Sequence, residues 1–153
     1  MNTKPYAREL LKTGGNLGID TILLSELESE RYIKRVLGFF RPYKTTGHLS
    51  IGTEESRVLP LEQNEFTFSS HLKSEPAYIF FDQEGFDKNS VVVVNDAKLI
   101  GQLMENSFGM EYFVSNQKAD FLIAVNWYVI NVAGTAIDSL KKLIVIDSND
   151  KQV

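Results

Sequence analysis

Residues 121–130 read FLIAVNWYVI, an uncharged run that constrains the fold more than any other stretch of the chain. As a single strand it turns Phe121, Ile123, Val125, Trp127 and Val129 to one side and Leu122, Ala124, Asn126, Tyr128 and Ile130 to the other. Both sides are mainly apolar, the pattern of a strand in mid-sheet covered on two faces. A chain that contains it must supply a layer of structure on each side. Asn126 then needs hydrogen-bond partners inside, because an unpaired buried amide costs about 1–3 kcal/mol, and bracing a neighbouring turn would provide them. Trp127 is expected in the core, although the polar atoms of Trp127 and Tyr128 leave a binding hot spot as the alternative.

At 153 residues the chain fits a single domain, 1–153, and its 43% hydrophobic and 24% charged content is that of a folded protein. There is no cysteine, so neither disulfides nor thiolate metal sites contribute and the core alone holds the fold. The longest uncharged run, 121–137, falls short of the roughly 18–20 apolar residues needed to span a bilayer, and the first residues lack the apolar segment of a secretory signal. No membrane association and a cytoplasmic location are the expectation. Charge is unevenly spread: residues 1–50 carry a net +3, residues 51–100 a net −5 and residues 101–153 a net −2. Nucleic acid is a poor partner for such a chain, since it takes a cationic face to displace counterions from phosphates.

Two helices open the chain. KPYARELLK spaces Tyr6, Leu10 and Leu11 helically and runs into Gly14, Gly15 and Gly18, read as a helix stop; a phosphate loop would need a preceding strand and a following Gly-Lys-Ser/Thr. SELESERYIKRVLGFF starts on Ser25 as N-cap, carries Glu26, Glu28 and Glu30 near its positive end, and offers Leu27, Ile33, Val36, Leu37 and Phe40 as an inner face before Pro42. Short strands are predicted in HLSIG, RVLPL and EFTFS, then in AYIFF and VVVVN as an antiparallel pair. A helix capped by Asp96 follows, then strands in MEYFVS, in 119–134 and in KLIVIDS, with a helical stretch near 135–142. Helices first and strands after, without regular alternation, give an α+β fold with N-terminal helices packed on a mainly antiparallel sheet.

Motifs for chemistry are sparse. Serine catalysis needs a base, and the two histidines, His48 and His71, sit in loop-like segments outside any motif. DQEGFDKNS groups Asp82, Glu84 and Asp87 around a glycine, but counted from Asp82 the fifth and sixth positions of a calcium loop are Phe86 and Asp87 instead of a ligand and glycine. A solvated connection fits better, and no cofactor or metal site is predicted. The acidic middle of the chain is the more informative feature. Glu54, Glu55, Glu62, Glu65, Glu75, Asp82, Glu84 and Asp87 would together steer a basic macromolecular partner, unless they serve only solubility.

AYIFFDQEGF, SVVVVNDAKLIGQLMENSFGMEYFVSN and FLIAVNWYVI, within residues 76–134, resemble in segment order and in their EYF and NWY tripeptides the C-terminal half of small acidic bacterial immunity proteins of contact-dependent inhibition and related polymorphic toxin systems. The resemblance implies a non-enzymatic protein that binds a cognate toxin domain, a nuclease being one possibility, and neutralises it as a stoichiometric complex. It transfers no binding residue, so the eight carboxylates above are the expected partner-binding set on charge alone. The alternative function is a small enzyme or ligand-binding domain with Tyr78, His71 and Asp82 converging between sheet and helices; self-association through a strand edge is a third.

Overall fold

The computed structural model describes residues 4–144. Seven strands are β1 (Thr21–Leu23), β2 (Arg57–Pro60), β3 (Ala77–Phe80), β4 (Val92–Val94), β5 (Tyr112–Asn116), β6 (Phe121–Val125) and β7 (Val129–Gly134). They form one sheet in the order β1-β4-β3-β5-β6-β7-β2, with every neighbouring pair antiparallel. Helices α1 (Tyr6–Leu17), α2 (Glu26–Phe40), α3 (Leu61–Asn64), α4 (Ile100–Glu105) and α5 (Ala136–Ser139) complete an α+β fold.

Alternation along the strands divides the core in two. Ile79, Val92, Val114, Ile123 and Val132 turn to one face, where Tyr6, Ala7 and Leu10 of α1, Ile100 and Leu103 of α4, and Ala136 meet them. Phe80, Val93, Phe113, Leu122 and Ala133 turn to the other, beneath Tyr32, Ile33 and Val36 of α2 and beneath Leu49 and Ile51. The two N-terminal helices thus lie on opposite faces of the sheet. Strands β5 and β6 are buried along their whole lengths, as the two-sided apolar pattern demands.

Residues 121–130 are nevertheless two strands, not one. β6 ends at Val125, Trp127 and Tyr128 form the reversal, and β7 pairs back through Val125↔Ile130. Other expectations shift for local reasons. Helix α1 runs through Gly14 and Gly15 and stops at Gly18, whose φ of 72° supplies the left-handed cap. Helix α2 has the expected Ser25 cap, closed reciprocally by Glu28, and ends on Arg41 with φ 43°; Leu27 faces outward at 55% exposure while Ser29 and Tyr32 take the inner face. EFTFS is a turn leading into a 3-10 segment, Phe68–His71, so of its two phenylalanines Phe68 is buried and Phe66 exposed. HLSIG contributes only the Lys44↔Ser50 bridge. Lys141–Leu143 is a 3-10 turn followed by a bend at Ile144, and residues 145–148 of the predicted KLIVIDS strand lie outside the described residues.

Two contacts fix helices to their surroundings. Pro5 precedes α1 and offers it no side-chain cap; the buried Asp87, 80 positions away, accepts the Ala7 amide instead at 3.1 Å and the Ser90 hydroxyl at 3.1 Å. Gly101 of α4 sits so close to the chain at Phe66 that an added Cβ would lie 2.0 Å from the Phe66 carbonyl oxygen. Asp87→Ala removes both the cap and the acceptor for a buried amide, and should cost about 1–3 kcal/mol in urea unfolding. An unchanged midpoint would show that α1 does not depend on this bond.

Candidate functional site

β3, β6 and β2 finish, and β5 and β7 begin, at the same end of the sheet, termed here the tryptophan end. Its centre is the β6–β7 turn. Two-residue hairpin loops usually adopt positive φ, but neither Trp127 nor Tyr128 does. Asn126 makes the turn instead: its Oδ1 accepts the amides of Tyr128 at 2.8 Å and Val129 at 2.9 Å, and its Nδ2 donates to the Leu49 carbonyl at 3.0 Å. The predicted internal partners of Asn126 are these. Because the asparagine carries the reversal, the loop positions are free to hold large aromatic residues, which are 48% exposed at Trp127 and 68% at Tyr128. The expectation that Trp127 lies in the core is corrected accordingly. Its indole rests on Gly109, where a Cβ would meet the ring at 3.2 Å.

A strap formed by residues 43–51 crosses the α2 side of the sheet and reverses at Gly47 and His48, with φ of 53° and 52°. It is held by side chains remote in sequence. Asp82 Oδ2 accepts the Gly47 amide at 2.9 Å, Glu111 Oε1 the Leu49 amide at 2.7 Å, and Asn131 Oδ1 both the Ser50 hydroxyl at 2.9 Å and the Ile51 amide at 3.2 Å. At its tip the His48 ring stands edge-on to Tyr128, centroids 5.2 Å apart, and His48 Nδ1 lies 3.4 Å from Glu111 Oε2. Trp127, Tyr6, Lys4, Asp82 and Glu111 line a groove of about 350 Å³ here, an aromatic surface bordered by carboxylates.

The eight predicted carboxylates do not form one surface. Glu54, Glu55 and Glu75 belong to the opposite end of the sheet, before β2 and β3 begin, while Glu62, Glu65, Asp82, Glu84 and Asp87 belong to the tryptophan end. β2 and β3 are four strand positions apart, roughly 19 Å, so each group is spread across the sheet as well. Three of the eight are engaged internally. Asp87 is buried as the α1 cap, Glu75 accepts from Asn116 Nδ2 at 3.3 Å, and Asp82 accepts the amides of Gly47 and Glu84. Glu111 enters the site unforeseen, while Trp127 and Tyr128 take the exposed position that the sequence offered only as the alternative to the core. The isolated polar residues of 109–131 were a signal for them, since each has to be either satisfied or exposed.

Tyr78, His71 and Asp82 do not converge. Tyr78 stacks on Tyr32 at 4.6 Å on the α2 face, His71 is exposed beside Phe68 and Leu72 of the α1 face, and Asp82 follows β3 at the tryptophan end. Among the described residues no group of three or more histidines and carboxylates is placed to hold a metal, and no helix is long and apolar enough to cross a membrane. Comparison of the chain with protein-family models, curated proteins and solved structures returns no match.

Burial acts to raise the Asp82 pKa, but the Gly47 and Glu84 amides and the Thr46 side chain donate to the charged form and hold the carboxyl below its usual value. A group depressed in the folded state adds stability that is complete above its unfolded pKa and is lost as pH falls through the folded one. Asp82→Asn should therefore be less stable than the parent at pH 7, with the difference closing below about pH 4. Urea titrations at both pH values check this, and a constant difference would contradict it. Asn131→Leu strands the buried Ile51 amide and should cost about 2 kcal/mol, with amide exchange over 43–51 accelerating first.

Proposed function

We propose that this protein is a binding module of the immunity type, which neutralises a cognate toxin domain by forming a stoichiometric complex at the tryptophan end of the sheet. One observation carries the proposal: Trp127 and Tyr128 stand exposed on a turn braced by Asn126, beside His48 and the carboxylates Asp82 and Glu111. A protein interface draws most of its affinity from a few aromatic anchors that are already rigid before binding. Carboxylates around them steer a basic partner, and the phosphate-binding groove of a nuclease toxin is a surface of that kind. The chain's net charge of −4 adds to the steering. The resemblance of residues 76–134 to immunity proteins points the same way. The enzyme reading loses its support, because the three residues on which it rested lie on different sides of the molecule.

Co-expression with a toxin domain encoded immediately upstream provides the test. The parent chain should protect the cells, and Trp127→Ala combined with Tyr128→Ala should weaken the complex by at least 100-fold, from two hot-spot losses of about 2 kcal/mol each. Thermal stability should change little, since both side chains are exposed. Glu54→Gln with Glu55→Gln, at the opposite end, should leave protection intact. Full protection by the aromatic double variant would remove the tryptophan end as the interface, and absence of protection by the parent would remove the function.

A further inference from the structure

A second concavity adjoins the tryptophan groove across Gly109. It is a crevice of about 80 Å³ walled by Phe66, Met104, Phe108 and Met110, with Glu65 and Tyr112 as polar groups. Its volume is far below the roughly 300–1,000 Å³ of sites that enclose a nucleotide or drug-sized ligand, so it admits a single unbranched chain. Tyr112 is 2% exposed, and its hydroxyl is the one buried side-chain polar atom among the described residues without a hydrogen-bond partner. A buried hydroxyl left unpaired costs about 1–3 kcal/mol, and native structures seldom retain such groups without a use for them. Burial first, and the negative charge of Glu65 second, hold its proton on and keep the phenol neutral. The other hydroxyl in the crevice, on Ser107, is already engaged with Leu103 and Thr13, each at 2.9 Å.

We infer that this crevice is an anchor socket for a lysine side chain of the protein partner, whose methylenes pack between Phe66, Met104 and Met110 and whose ammonium donates to the Glu65 carboxylate and the Tyr112 hydroxyl oxygen. The socket rests on the partner-docking role proposed above and gives the partner's chemistry. Each part of the lining suits an amine on an aliphatic stem. Methionine walls adapt to a flexible chain, and aromatic faces attract a cation. The Phe108 ring already attracts one cation, with Lys4 Nζ 5.5 Å from its centroid. A carboxylate can also take a guanidinium bidentately, but a crevice of about 80 Å³ suits the compact ammonium on an unbranched stem better than the wider planar fork. The partner's charge also fits an acidic chain.

The test uses n-butylammonium as a stand-in for the lysine side chain and n-butanol as the neutral control. The chain has three methionines, of which Met104 and Met110 line the crevice, so methyl-labelled methionine gives a sparse and specific NMR readout. Saturable shifts of these two methyls are expected with n-butylammonium. Binding should be at least tenfold weaker for n-butanol and for the Glu65→Gln chain. Tyr112→Phe should also weaken it severalfold while leaving thermal stability equal or higher, because an unpaired hydroxyl is removed. Equal binding of n-butanol, an unaltered Glu65→Gln chain, or no shift at either methyl overturns the socket. Those outcomes leave toxin protection through Trp127 and Tyr128 standing, whereas loss of protection with amine binding intact removes the docking role alone.

Discussion

Strands β5 and β6 are buried on both faces, and most of the architecture answers that one demand. Their side chains lose water in two directions, so a helical layer on a single face would leave half of them wet. The chain meets the need by sending α1 and α2 to opposite sides and by adding α4 and α5 to the α1 side. Among the described residues the α2 side has only one helix, which crosses part of the sheet. The strap of residues 43–51 covers the rest, with its own Leu49 and Ile51 completely buried against the sheet.

A strap without regular pairing creates its own problem, because amides such as those of Leu49 and Ile51 are withdrawn from water without a strand partner. Side chains projecting from the sheet and its loops supply the missing acceptors. Asp82, Glu111 and Asn131 each take strap amides, and Asn126 reaches its Leu49 carbonyl. The same residues build the surface assigned to binding. Asn126 holds the turn that lifts Trp127 and Tyr128 into solvent, and Glu111 holds both the strap and His48. Core cover and candidate interface therefore share one polar framework, which rigidifies the aromatic pair before any partner arrives.

Much of the fold was legible in the sequence because its signals are local. The Ser25–Glu28 capping box and the Asp96 cap each act within three residues. The apolar runs at 77–80, 92–94 and 121–125 could only be strands bounded by turn residues. Errors arose where a local pattern was ambiguous. FLIAVNWYVI has strand character throughout, and only the ability of Asn126 to satisfy two amides from its side chain reveals a reversal. EFTFS alternates like a strand, but Gly101 brings α4 against its backbone and leaves no room for sheet pairing. The site was less legible than the fold. The acidic residues of 54–87 are close in sequence but are parted by the antiparallel sheet, which returns successive segments to opposite ends.

The amino-acid sequence by itself determined the helix starts at Ser25 and Asp96, the strand-forming runs at 77–80, 92–94, 112–116 and 121–125 and the necessity of a sheet covered on two faces, since these follow from side-chain periodicity and from bonds spanning a few positions. Only the tertiary structure decided the strand order, the capping of α1 by Asp87 from 80 positions away and the exposure of Trp127. The physical reason is that a buried amide N–H donates to any well-placed oxygen, whatever its distance along the chain. Which carboxylate becomes a structural clamp and which stays at the surface is thus settled by the closure of loops, not by the neighbours in sequence.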